Sequence, residues 1–253
     1  MIPGIQGRWE WMKPGIDALA ARCRVVTYSL SDEPSCGGHF DETTGFDCYV
    51  EQVRDAIDQA GIERATICGV SYGGLIACAF AARHPERTRG LVLVSALPPS
   101  WTPDARVRFY LRAPRLLMPL FMVASLRMYR EIASAHPGLW PSVREAVRHG
   151  WNVLTHMFSP SRMARRVHLL ARTNLSGITP PRVPTLVITG DEALDRVVPV
   201  HATREYLQWL PQARVATVER TGHLGFITRP DIFSELVVPF ADSDETESGR
   251  RIG

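Results

Sequence analysis

Short apolar runs alternate along this chain with segments whose apolar residues recur every three or four positions. The runs are Arg24–Tyr28, Ala65–Val70, Gly90–Val94, Thr185–Thr189 and Arg214–Val218. Each is short and rich in β-branched residues, so each predicts a strand. Between them, Phe46, Val50, Val53 and Ile57 fall at helical spacing within 44–60, which Gly61 ends. A helix of small residues is predicted over 73–84, stopped by Pro85, and others over about 200–209 and 230–240. Short strands alternating with helices imply an α/β protein with a mostly parallel, doubly wound sheet covered on both faces.

Residues 101–174 break this rhythm. They contain no β run and predict about four helices. The start signals are Thr102-Pro103, Pro114, Ser159-Pro160, and Pro141-Ser142 with Glu145 completing a capping box. The expected organisation is a core of 1–100 and 175–241, a helical insertion over 101–174, and a disordered acidic tail over 242–253. The insertion holds five of the seven methionines and 12 arginines against three acids, a net charge of +9.

The rest of the chain therefore carries −6, and the whole +3, too mild to imply nucleic acid as a partner. The arginine excess reads mainly as solvated helix faces, and Arg162-Met163-Ala164-Arg165-Arg166 as a mild basic cluster. With 253 residues, 45% of them hydrophobic, the chain can bury one sizeable core. Five cysteines form neither a CxxC pair nor a metal-ligand cluster, so no metal or cofactor is expected. That cysteine usage fits a reducing cytoplasm. No signal peptide is visible, and no apolar stretch is long enough to span a bilayer.

Candidate chemistry begins at Gly69-Val70-Ser71-Tyr72-Gly73-Gly74, where a predicted strand hands over to a helix. The bland reading is a tight turn that needs small residues. The sharper one is G-x-S-x-G: a serine whose hydroxyl is pushed out above the sheet, beside the positive end of the helix. Such a serine needs a base, and the base an orienting acid. Of eight histidines, His84 ends a helix, His39 lies in a loop, His201 opens a helix, and four fall in the insertion. His223 follows a late strand in a turn flanked by glycines, which singles it out as the base. For the acid, Asp191, Glu192 and Asp195 compete in one loop. Asp195 is favoured because it precedes an apolar pair and a proline that lead into the next helix.

The order Ser71, Asp195, His223, with G-x-S-x-G-G on a strand-to-helix turn, resembles the α/β-hydrolase superfamily over residues 1–241. Gly4-Ile5-Gln6-Gly7-Arg8-Trp9 is similar to that family's oxyanion loop, and Asp195–Pro199 and Gly222-His223 also match. The resemblance implies an oxyanion hole made by the backbone N–H groups of Ile5 and Tyr72. It also implies that 101–174 is a cap over the site. Met118, Phe121, Met122, Trp151 and Phe158 are the expected substrate-pocket residues, although packing the insertion onto the core would also account for them.

Three features depart from the family. Its histidine before Gly4 is Pro3 here. The loop Ser29–Ser35 lacks the usual D-x-R-G-x-G-x-S. Two strands and most of a third should precede the oxyanion loop, so either translation starts upstream of Met1 or the sheet lacks its first edge. The expected activity is serine hydrolysis of a small, partly apolar ester, thioester or lactone, a small-molecule substrate. The alternatives are carbon–carbon bond hydrolysis of a diketone-type acid and a catalytically silent binder on the same fold. Oligomeric state is not indicated.

Overall fold

The computed structural model describes residues 1–37, 40–136, 138–173, 175, 177 and 179–249. Within these, 127, 139, 141, 142, 149, 153, 154 and 244–249 are described by backbone alone. In chain order the helices and strands are α1 (Lys13–Ala20), α2 (Asp47–Gln59), β1 (Ala65–Val70), α3 (Tyr72–Arg83), β2 (Thr88–Val94), α4 (Ala105–Arg112), α5 (Met118–Ser125), α6 (Tyr129–Ala135), α7 (Leu139–Thr155) and α8 (Pro160–Arg172). There follow β3 (Thr185–Thr189), α9 (Val200–Thr203), α10 (Glu205–Trp209), β4 (Arg214–Thr217), α11 (Gly225–Thr228) and α12 (Pro230–Gly249).

The four strands form one parallel sheet in the order β1-β2-β3-β4. Alternate residues of β2 face opposite layers, as the pleat requires. Leu91 and Leu93 join a core with Tyr49 and Val50 of α2 and Leu75 and Phe80 of α3. Val92 and Val94 join a second core with Ile16 of α1 and Phe233 and Val237 of α12. Burial on both faces is why β1, β2 and β3 read as continuous apolar runs rather than alternating ones, whereas β4, at the end of the sheet order, is largely exposed.

The sheet departs from expectation on one side. The run Arg24–Tyr28 is extended but is not a strand. Thr27 Oγ1 donates to the Met1 carbonyl (3.0 Å) and Leu30 N–H to the Gly7 carbonyl (2.7 Å), too few contacts for a ladder. Beside β1, Ile2 makes one parallel bridge with Gly69, donating to Cys68 O (2.7 Å) and accepting from Val70 N–H (3.1 Å). A β-rich run becomes a strand only where a neighbour supplies successive partners, and here Met1 supplies two contacts in place of a ladder, its ammonium donating to Val26 O (2.5 Å) and its carbonyl accepting from Thr27.

Between β2 and β3 the chain forms five α-helices, α4 to α8, where the start signals suggest about four. The Ser159-Pro160 signal holds: Ser159 Oγ accepts from Arg162 N–H at 3.3 Å. Asp104, not Thr102, caps α4 by accepting from Val107 N–H (2.7 Å). Pro141 and Ser142 fall inside the first turn of α7, past its N-cap position. Gly138, at φ 111°, makes the entry instead. The region 200–209 divides at Arg204 into α9 and α10. From 242 to 249 the chain continues α12 where a disordered tail is expected, because extending an existing helix costs far less than nucleating one. Residues 250–253 lie outside the described residues. No helix among those described is long and apolar enough to cross a membrane.

Candidate active site

Ser71 sits at the end of β1 and the start of α3 with φ 52° and ψ −117°, a conformation non-glycine residues rarely adopt. It is locked there. Its N–H donates to Val94 O (2.9 Å), and its carbonyl accepts from Gly74 N–H (3.0 Å) and Leu97 N–H (3.3 Å). Its side chain does not cap α3. The flanking glycines follow from close approach. A Cβ on Gly69 would lie 2.6 Å from the Gly73 carbonyl carbon, and one on Gly73 would lie 2.5 Å from the Pro3 carbonyl oxygen. The pattern G-x-S-x-G thus packs the turn against itself and against the 3–7 loop.

His223 follows β4, in a turn entered through Arg220 at φ 60°. Its Nδ1 lies 3.4 Å from Asp195 Oδ2, and both groups are buried. Asp195 Oδ1 accepts from the N–H groups of Val197 and Val198, each at 2.9 Å. Burial alone would raise the Asp195 pKa, but His223 and these two N–H groups hold it below the usual carboxylate value. Burial likewise opposes the imidazolium, but Asp195 and then Glu131 outweigh it, so the His223 pKa is raised.

Geometry separates the three competing acids. Asp195 meets the imidazole. Asp191 Oδ2 accepts from Arg220 N–H (2.6 Å) and so shapes the turn that carries His223. Glu192 is exposed and lies 3.5 Å from His201 Nδ1. His39 lies outside the described residues.

Ile5 and Tyr72 flank the same space. Neither backbone N–H has a hydrogen-bond partner among the described residues. The loop runs close to the serine: a Cβ on Gly4 would be in van der Waals contact with Ser71 Cβ, at 3.5 Å. A cavity of about 270 Å³ is bounded by Ser71, His223, Ile5 and Tyr72 on the core side and by α4, α5 and α8 on the other. Of the expected pocket residues, Met118, Phe121 and Phe158 line it.

Met122 and Trp151 do not line the cavity. Met122 is one helical step, about 100°, round α5 from Phe121 and leaves the cavity-facing side. Trp151 lies on the outer face of α7, 69% exposed. Leu97, Trp101, Tyr110 and Val167 line the cavity without a sequence signal that marks them. The wall is mostly apolar, with Gln6, Asp104 and Arg106 among its few polar members.

Two buried charges escape a sequence reading. Glu131 of α6 reaches the His223 turn: its Oε1 accepts from Leu224 N–H, next to His223, at 2.6 Å. Burial pushes its carboxyl up to about 7. Arg166 of α8 is fully buried, against the expectation of a solvated face. No periodicity distinguishes either from a surface charge. Among the described residues, no three His, Cys, Asp or Glu side chains gather as a metal site.

A sequence profile described as the alpha/beta hydrolase family matches residues 1–236. A candidate carbamate hydrolase of Azorhizobium caulinodans is 28% identical over 248 residues, covering 94% of this chain and 88% of its own. A 2-hydroxymuconate semialdehyde hydrolase of Pseudomonas putida is 32% identical over 232 residues, covering 88% and 77%. Among solved structures, the enol-lactonase of Burkholderia xenovorans LB400 shares the fold with a TM-score of 0.72 at 22% identity, covering 94% of this chain and 88% of that one.

Proposed function

The chain belongs to the alpha/beta hydrolase family and is a hydrolase, and from that premise we propose that Ser71, His223 and Asp195 cleave a small, partly apolar carboxylic ester, thioester or lactone through an acyl-enzyme. One observation carries the reading. The strained, locked Ser71 opens on an apolar cavity that it shares with His223 and with two unpartnered backbone N–H groups.

In this reaction the carbonyl carbon of the substrate lies over Ser71 Oγ. His223 Nε2 takes the hydroxyl proton as Oγ attacks. Asp195 holds Nδ1–H and stabilises the imidazolium. The Ile5 and Tyr72 N–H groups donate to the oxyanion of the tetrahedral intermediate, where such donors act most strongly. Collapse breaks the bond to the leaving alcohol or thiol, which takes the proton from His223. A water then gives its proton to His223 and attacks the acyl group. A second collapse frees the acid and restores the Ser71 hydroxyl. Helices α4 to α8 serve as the cap that closes the apolar end of the cavity.

A substrate panel tests this. Short p-nitrophenyl esters, thioesters and lactones should be hydrolysed, and a fluorophosphonate probe should label wild type but not Ser71→Ala. Equal turnover by folded Ser71→Ala would refute the reading. Carbon–carbon hydrolysis of a diketone-type acid is the second reading. It is favoured by the likeness to the semialdehyde hydrolase and by Arg106 in the cavity wall, which could pair with a substrate carboxylate. It predicts turnover of such an acid above that of every ester in the panel.

A further inference from the structure

Two features of the sequence stay unexplained by this chemistry. One is the loop around Asp32 and Glu33, which departs from the family pattern. The other is the basic run Arg162–Arg166. In the structure they are the two halves of one buried ion cluster. Arg166 Nε and Nη2 donate to Asp32 Oδ1 (3.1 and 2.5 Å), and Nη2 also donates to Glu33 Oε1 (2.7 Å). Arg165 adds a bond to Asp32 Oδ2 (3.0 Å), and Arg162 lies 3.3 Å from Glu33. Asp32, Glu33 and Arg166 side chains have no exposed surface.

The third guanidinium nitrogen goes to the oxyanion loop: Arg166 Nη1 donates to Ile5 O at 2.7 Å. Gly4 to Gly7 form a turn closed by Gly7 N–H on Gly4 O (2.9 Å), and the Ile5–Gln6 peptide is its central unit. The central peptide of such a turn can take two orientations roughly 180° apart, which distinguish turn types. Anchoring its carbonyl selects one, and with it ψ of Ile5 and φ of Gln6. The loop is fitted to the guanidinium, since a Cβ on Gly7 would overlap it. Pro3 occupies the place from which the family's histidine would act, and has no polar side chain.

We propose that Arg166 is a positioning residue: it joins α8 and the Asp32–Glu33 loop to the Ile5 carbonyl, and so holds in place the loop whose Ile5 N–H meets the oxyanion. The proposal rests on the hydrolase reading above. A guanidinium suits the task because its planar fork serves two carboxylates and a carbonyl together, which an ammonium cannot do in the same geometry. A donor held from α8 also couples the oxyanion loop to the position of the helical insertion.

The test compares wild type, Arg166→Lys, Arg166→Met and Asp32→Asn on a short p-nitrophenyl ester, with phenylethaneboronic acid as the tetrahedral probe. A surface control is Arg172→Met. Folding is checked by circular dichroism and thermal unfolding. A misaimed oxyanion donor should lower kcat by about 100-fold. KM should stay within about threefold, and boronate affinity should weaken by a factor like that in kcat. Arg172→Met should match wild type.

Folded Arg166 variants with wild-type kcat, or with a raised KM and unchanged kcat, overturn the proposal. So does failure of all three cluster variants to fold, which would assign the cluster to stability alone. If wild type itself shows no Ser71-dependent turnover, the hydrolase reading fails and the proposal falls with it. Wild-type turnover with unaffected variants removes the proposal and leaves the hydrolase reading standing.

Discussion

The sheet and the helical insertion are held by different forces. In the sheet and its covering helices, large apolar residues are nearly all buried: Leu91, Leu93, Phe80 and Phe233 expose no surface. In the insertion they are divided. Phe121 and Phe158 face the cavity, while Leu116, Trp140 and Trp151 stay largely exposed. Leu170 and Phe158 pack the insertion against the core, and a few directed contacts fasten it further. Arg166 reaches Ile5 and Asp32, Glu131 reaches Leu224, and Arg220 reaches Ala135 O (3.2 Å). Trp11 Nε1 donates to His156 O (3.0 Å), and Asn152 Nδ2 to Glu10 O (3.1 Å). Packing holds a core whatever its details, but a polar contact fixes a position. Three of these contacts land on the segments that carry Ile5 and His223, so the placement of the insertion is tied to those two residues.

The largest expected effect isolates the core-borne machinery. Asp195→Asn should lower kcat by about 10⁴-fold, because the amide supports the wrong imidazole tautomer. Asp191→Asn, which touches only the turn, should lower it less than about tenfold. Steady-state kinetics on one ester separates them, and equal losses would mean that Asp191 is the working acid.

The next prediction sets the two kinds of packing against each other. Leu93→Ala should cost about 2–5 kcal/mol in urea unfolding, the range for a fully buried leucine. Leu116→Ala, at 80% exposed, should stay within about 0.5 kcal/mol of wild type. A large loss from Leu116→Ala would mean that the turn leading into α5 is covered in solution.

A third prediction concerns pH. The base must be neutral, and the His223 pKa is raised, so kcat/KM should rise with pH along an acid limb centred above 6.5. Glu131→Gln removes a nearby negative charge while keeping an acceptor for Leu224 N–H. That limb should move to lower pH, and an unmoved limb would show that Glu131 does not act on His223.

The same variant has a smaller effect on stability. The folded-state pKa of Glu131 is about 7, against 4.5 for the free group, so between these values the folded protein holds a proton that the unfolded chain has lost. Stability attributable to Glu131 therefore falls as pH rises through that window, and Glu131→Gln should flatten the slope. Asp195 acts in the opposite sense: its lowered pKa gives stability that is present above about 3.8 and lost as pH falls through the folded value.

Much of the fold was legible because one periodicity covers many residues. The runs at 65–70 and 185–189 become β1 and β3, since burial on both faces leaves an unbroken apolar signature, and the run at 214–218 becomes β4, an exposed strand at the end of the sheet order. Arg24–Tyr28 carries the same signature and forms no strand, because pairing depends on a neighbour that propensity does not report. The pocket residues were legible only in part. Met118 and Phe121 share the cavity side of α5 and Met122 does not, a difference of one helical step that composition cannot resolve.

The sequence by itself determined what is local or ordered along the chain: an alternating α/β core, a strand-to-helix turn at Ser71, and an acid-bearing loop and a histidine turn after later strands. Each is written in neighbouring residues, through small side chains at crowded turns and apolar runs of fixed length. Only the tertiary structure decided that Asp195 rather than Asp191 meets His223, that Glu131 sits beside that histidine, and that Arg166 lies buried against Asp32 and Ile5. Those pairings join positions up to 161 residues apart. A charged residue bears the same letter on a wet helix face as inside a dry cluster, and burial, not spacing, separates the two.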